Sequence, residues 1–406
     1  MRDKSYEMRG ARCELRESSL ALNTRYKIVK KAREISFMAA LRGIFSWHLY
    51  YKFKAGMIRW RHFFKKWWER IMVLLRVILI SAVALFNVSS VLANNEKLSY
   101  DAELSTYSYD YPVKFFNLSS QQSSLKMAYS YLKPKDDKPT VVLMHGKNFN
   151  GHYWTSTAKY LNEAGYGVLI PDQIGFGKSS KPKDYQFSFP ALANNTHQLI
   201  TSLGIKRPIV LGHSMGGMLA SRYALMFPEQ VRKLILLNPI GLENYLSYVQ
   251  YKDTDFFYDL ELGKTPEKII AYQKQNYYDG KWNQHYEQLT HFLSGQIQGP
   301  DHELMAWVNA KTYDMIFTQP VITEFDQFKM PVALIIGTRD RTGPGRNWKK
   351  PGVEYQLGRY DELGKTAANL IPTAHLIELK DIGHLPHIEN FELFKKAMNK
   401  ALAFKE

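Results

Sequence analysis

Cysteine is almost absent: the 406-residue chain holds one, Cys13. Residues 94–406 can therefore form no disulfide and offer neither a thiol nucleophile nor a thiolate metal site. Metal-ligand spacings and glycine-rich nucleotide loops are missing too, so no cofactor and no metal are expected. There are no repeats and no low-complexity tracts. Long hydrophobic runs are also lacking. The apolar stretch Val77 to Phe86 is ten residues, too few to cross a bilayer, and extending it backward brings in Arg76.

That stretch has another reading. Arg76 and, further back, Lys65, Lys66 and Arg70 precede it, and Val91-Leu92-Ala93 follows it with small residues three and one before a cut after Ala93. This is the pattern of a secretory signal peptide over 72–93. The expectation is an exported protein of residues 94–406, periplasmic or secreted, without a stable membrane span; a single membrane anchor is the competing reading. A signal peptide starts near the first residue, so translation from Met72 or Met57 is expected, with residues 1–71 outside the mature protein. Otherwise the leader, with Trp60, Phe63, Phe64, Trp67 and Trp68, would lie on a membrane surface as an amphipathic helix.

Acidic residues are scarce only in that leader. Residues 1–71 contain 18 Lys+Arg against 6 Asp+Glu, twelve of the sixteen net positive charges of the chain. The remainder is close to balanced, which excludes a nucleic-acid-binding body argued from charge. Over the whole chain, 45% hydrophobic and 23% charged residues suit a globular protein.

After a polar stretch, Pro112–Leu118 and Leu125–Leu132 read as two strands of a hairpin around Ser119 to Gln122. Thr140–Met144, Gly167–Ile170, Ile209–Leu211, Leu234–Leu237, Val332–Ile336 and Leu376–Leu379 are short apolar runs of the kind buried on both sheet faces. Helical patterns over Trp154–Ala164, Ala191–Leu203, Gly217–Ala224, Gly358–Leu370 and about 390–404 alternate with them. This predicts an α/β fold with a mainly parallel central sheet and helices on both faces. The alternation breaks over 241–325, a helical stretch rich in aromatics, Tyr272, Trp282, Trp307 and Phe317 among them. It is read as a lid inserted into a core of residues 94–240 and 326–406, with most of its aromatics packed in its own core.

The chain is organised around Pro208 to Ala224: a strand, the turn Gly212-His213-Ser214-Met215-Gly216, and a helix. Strand-to-helix geometry lifts the Ser214 hydroxyl off the end of the sheet, where substrate and base can reach it, so Ser214 is the candidate nucleophile. So sharp a turn needs very small side chains two positions before and after, supplied by Gly212 and Gly216. It also puts the Met215 backbone N–H at a helix start, where an oxyanion is favoured. A serine hydroxyl needs a base, and the base needs a carboxylate to fix its tautomer. Asp340 and His384 follow the strands 332–336 and 376–379 and supply both.

The order Ser214, Asp340, His384, the His145-Gly146 turn, Asp172-Gln173-Ile174-Gly175-Phe176-Gly177-Lys178-Ser179, the serine turn and Gly383-His384-Leu385-Pro386 with Glu389 together resemble the α/β-hydrolase superfamily, specifically its lidded single-domain enzymes. The resemblance runs from about Pro112 to the C-terminus. It implies Ser214 as nucleophile, His384 as general base then acid, Asp340 as its orienting carboxylate, and the backbone N–H groups of Met215 and Lys147 as oxyanion hole. It implies hydrolysis of a small or medium ester or lactone; a proline iminopeptidase-like or carbon–carbon bond hydrolase is the alternative. The first usually has tryptophan where Met215 stands, and the second a glycine- and proline-rich segment where Lys147-Asn148-Phe149-Asn150 stands. A ligand-binding member without catalysis, and a peroxidase-like activity on the same triad, are the further alternatives.

Four neighbours are expected to play supporting parts. His213 packs, Asp172 pins the loop after its strand, and His145 hydrogen-bonds locally to shape the oxyanion turn. His387 is expected to be solvated. Lys147 is expected to carry a solvated ammonium; its second reading is a cation that attracts a carboxylate-bearing substrate.

Overall fold

Eight strands form the frame of the computed structural model. It describes residues 67–68, 70–75, 98–135 and 137–404. The expected signal peptide and leader lie outside the described residues except at those first few positions, 67–68 and 70–75, which are helical. No helix among the described residues is long and apolar enough to cross a membrane.

The strands are β1 (Lys114–Ser120), β2 (Ser123–Leu132), β3 (Thr140–Met144), β4 (Gly167–Pro171), β5 (Ile209–His213), β6 (Lys233–Leu237), β7 (Val332–Gly337) and β8 (Ala374–Leu379). They form one sheet in the order β1-β2-β4-β3-β5-β6-β7-β8. β1 and β2 pair antiparallel, as do β2 and β4; from β4 to β8 every pairing is parallel. The hairpin is tighter than the sequence implied. Ser120 pairs with Ser123, and the turn is Gln121-Gln122 with φ of 52° and 59°. Two positive φ values match the right-handed twist of the flanking strands, here adopted by two glutamines.

The inner strands are buried along their length and mostly apolar because each face meets its own core. Val142, Val210, Leu234 and Leu334 point into one cluster, and Val141, Leu211, Ile235 and Ile335 into the other. Helices α2 (Phe189–Ser202), α3 (Met215–Met226) and α9 (Tyr360–Leu370) supply residues such as Leu199, Ala220 and Leu363 to the first core. Helices α1 (Thr155–Glu163) and α10 (Phe391–Ala403) supply Ala158 and Phe394 to the second.

Between β6 and β7 the described chain makes no named strand and runs through helices α4 (Thr254–Leu262), α5 (Pro266–Tyr277), α6 (Gln284–Gln288), α7 (His291–Ile297) and α8 (His302–Thr318). Three of their starts are fixed by side-chain caps: Asp253, Thr265 and Asn283 accept from the N–H groups of Phe256, Lys268 and Tyr286. Aromatic packing joins α4 to α8, with Phe257 stacked on Tyr313 at 4.9 Å between ring centroids.

Candidate active site

The serine turn is built by close contact. A Cβ on Gly212 would come 2.1 Å from the Gly216 carbonyl oxygen, and one on Gly216 would come 2.2 Å from that of Met144. Only glycine fits at either place. Ser214 itself has φ 56° and ψ −123°, a conformation worth about 1–3 kcal/mol of strain. Its carbonyl oxygen accepts from the N–H of Gly217 at 2.8 Å and of Ile240 at 3.1 Å, which hold the turn in place. Met215 opens α3, so its N–H precedes the first intrahelical bond.

Three strands bring the candidate triad together. Ser214 follows β5, Asp340 lies three residues beyond β7, and His384 lies in the loop after β8. His384 Nδ1 donates to Asp340 Oδ2 at 2.7 Å, and its Nε2 faces Ser214 Oγ at 3.0 Å. All three residues are buried. Asp340 is further anchored by N–H groups: Asn238 Nδ2 donates to its Oδ2 at 2.9 Å, and the Thr342 backbone to its Oδ1 at 2.8 Å. Burial pushes the Asp340 carboxyl up, but the His384 charge and the hydrogen bonds from His384, Asn238 and Thr342 outweigh it and hold the group below the usual carboxylate range. Asn238 accepts from Gly337 N–H at 2.9 Å, so it clamps the end of β7 as well. Glu389 does the same for the histidine loop, accepting from Gly383 N–H at 2.8 Å while pairing with Arg339 at 2.5 Å.

The turn after β3 approaches the serine closely: a Cβ on Gly146 would come 3.1 Å from Ser214 Cβ. Gly146 N–H donates to Tyr153 Oη at 3.0 Å. His145 Nδ1 donates to the Gly146 carbonyl oxygen at 2.9 Å, and its Nε2 accepts from Gln173 N–H at 3.1 Å, fixing one neutral tautomer. Asp172 accepts from Gly151 N–H, Lys178 N–H and Tyr109 Oη at 2.6, 2.7 and 2.8 Å, which ties the loop after β4 to its neighbours.

Residues 139–391 match the α/β hydrolase fold family. The chain belongs to that family. Among solved structures, a probable hydrolytic enzyme from Pseudomonas aeruginosa PAO1 is 44% identical and superposes with a TM-score of 0.74, covering 76% of this chain and 99% of its own. Lipase 1 of Psychrobacter immobilis is 26% identical over 300 residues, 69% of this chain and 80% of that protein. Lipase 3 of Moraxella sp. (strain TA144) is 26% identical over 317 residues, 73% of this chain and 85% of that protein. This α/β hydrolase is an enzyme, a hydrolase of the fold.

Two expectations about neighbouring side chains are corrected in this hydrolase. His387 is buried rather than solvated: it stacks on Trp154 at 4.5 Å, and burial, reinforced by the nearby His384 charge, pushes its pKa down to about 3. Lys147 is also buried, not solvated. Its Nζ donates to Thr312 Oγ1 at 2.7 Å and to the Asn309 carbonyl oxygen at 2.9 Å, and lies 4.1 Å from the Tyr313 ring centroid. Burial lowers its pKa to about 7, with Glu261 opposing the shift and Lys264 adding to it. The partners lie more than 160 residues away on α8, which no local pattern announces.

Ser214 opens onto a cavity of about 410 Å3 between the strand ends and the helices after β6. Lys147, Asn148 and Ile240 line its sheet side, Phe257, Tyr272, Tyr277, Tyr313 and Phe317 its helical side, and Arg346 and Trp348 a third wall. Asn148 donates to Tyr277 Oη at 3.0 Å, and the Tyr277 ring stacks on His384 at 4.8 Å and 29°. Sequence reasoning had not singled out Asn238, Tyr153 or Tyr277. Asn238 could have been found, because it ends the strand between the serine and aspartate strands.

Proposed function

We propose that this α/β hydrolase cleaves a small or medium carboxylic ester or lactone through an acyl-enzyme. The observation that carries the reading is the hydrogen-bonded series Asp340, His384, Ser214 at 2.7 and 3.0 Å, opening onto a cavity. In this reading His384 Nε2 takes the proton from Ser214 Oγ as that oxygen attacks the ester carbonyl carbon. Asp340 holds Nδ1–H and stabilises the imidazolium. The tetrahedral oxyanion is received by the backbone N–H groups of Met215 and Lys147, each worth about 2.7–4 kcal/mol of transition-state stabilisation. His384 then gives the proton to the leaving alcohol, and water, deprotonated by the same nitrogen, releases the acid. The helices of 241–325 act as the lid that shapes the acyl site. The names of the two lipases support the ester reading.

The test is turnover of p-nitrophenyl esters of increasing acyl length, beside a Ser214→Ala control, with fluorophosphonate labelling of the serine. Turnover with an optimum length, lost in the control, is expected. The absence of both turnover and labelling would overturn the reading. Export of residues 94–406 goes with this proposal on the strength of the signal-peptide pattern; an exported product whose intact mass retains residues 1–71 would contradict it.

A further inference from the structure

The cavity beside Ser214 is unbalanced in charge. Its charged lining residues are Lys147, Lys264, Arg346 and one carboxylate, Glu261. Glu261 is already paired: its Oε1 lies 2.5 Å from Lys264 Nζ. Lys147 gives its ammonium to the neutral acceptors Asn309 and Thr312 and to the face of Tyr313. Arg346 is tethered by a long contact from Nε to the Gly343 carbonyl oxygen at 3.4 Å. Among the described residues, neither Lys147 nor Arg346 has a carboxylate oxygen within 4.0 Å. An adjoining cavity of about 200 Å3 shares Asn148, Lys264 and Tyr272, and its charged lining residues, Lys264 and Lys268, are both cationic.

A site meant only for a hydrocarbon acyl chain gains nothing from a buried ammonium such as that of Lys147, which is costly to desolvate without a counter-charge. An arriving anion recovers that cost and meets strong charge-assisted hydrogen bonds. Lys147 also sets the spacing. Its backbone N–H belongs to the turn beside Ser214, while its ammonium stands at the far end of a four-carbon stem. We infer that the pocket takes an ester whose acyl chain ends in a carboxylate a similar number of bonds from the reacting carbonyl, the size of an adipate half-ester. The substrate class rests on the hydrolase reading above. Burial holds the Lys147 ammonium to about 7, so carboxylate binding near neutral pH should draw a proton onto it.

The experiment compares kcat/KM for mono(4-nitrophenyl) adipate with that for its apolar isostere, 4-nitrophenyl 6-methylheptanoate. The wild type is expected to favour the adipate ester by about tenfold or more, the worth of one charge-assisted hydrogen bond. Arg346→Gln and Lys147→Met should each lower that ratio several-fold, toward one. Arg346 is exposed on its loop, so its variant keeps the test open should the Lys147 variant fail to fold. A wild-type ratio at or below one, with Ser214 labelled by a fluorophosphonate, overturns this inference and leaves the hydrolase reading standing. If Ser214 is not labelled and neither ester turns over, the hydrolase reading fails, and calorimetry with adipate and Ser214→Ala decides the charge inference alone. Binding with proton uptake at pH 7, weakened in the Arg346→Gln background, supports it; no binding overturns it.

Discussion

His213 donates its Nε2–H to the backbone carbonyl oxygen of His384 at 2.8 Å, joining the residue before Ser214 to the residue whose ring faces it. A carbonyl can only accept, so the proton sits on Nε2 and Nδ1 must accept. It does so from Tyr153 Oη at 3.0 Å, and that oxygen in turn accepts from Gly146 N–H. One directed chain therefore runs from the turn after β3 to the loop that carries His384.

Tyr153→Phe removes the middle of that chain and leaves two buried groups without partners. A stability loss of about 1–3 kcal/mol per group is expected. Urea denaturation gives the first number, and kcat on a p-nitrophenyl ester should fall with it. An unchanged midpoint together with unchanged kcat would show that the chain is incidental.

Tyr277 stacks on His384 at 4.8 Å, where a ring face favours the imidazolium over the neutral base. Tyr277→Leu is therefore expected to lower kcat on a p-nitrophenyl ester several-fold, because the reading above has an imidazolium form beneath that ring as Ser214 attacks. An unchanged kcat would rule out this role for the ring.

His387 titrates at about 3 in the folded protein and near 6.5 when free. Between those values the unfolded chain takes up a proton that the native state refuses, so stability is fully present above about pH 6.5 and drains as pH falls toward 3. His387→Phe keeps a ring against Trp154 and cannot take up that proton. Its unfolding free energy should fall less steeply from pH 6.5 to 4 than that of the wild type; parallel curves would contradict the assignment.

Much of the site could be read from the chain because it depends on short-range constraints. Gly212 and Gly216 reveal the serine turn since their missing side chains are required by contacts within a few residues and one strand away. Asp340 and His384 are visible because parallel strands deliver their loops to the same edge, and the runs 332–337 and 374–379 announce those strands. What the sequence hides depends on distant packing. His387 looks like a surface residue until Trp154 and Tyr153 close over it. Lys147 looks solvated until α8 arrives with Asn309 and Thr312. The length of the hairpin was hidden for another reason: Gln121 and Gln122 lack the glycine or asparagine that normally marks so tight a turn.

Lys147 has one last consequence. Its main chain belongs to the turn beside Ser214, and its side chain is moored to α8 at Asn309 and Thr312. That helix cannot swing outward to admit a substrate without breaking the mooring or dragging the turn with it. Opening at that helix therefore either strips a buried ammonium of two hydrogen bonds or shifts the turn beside the serine.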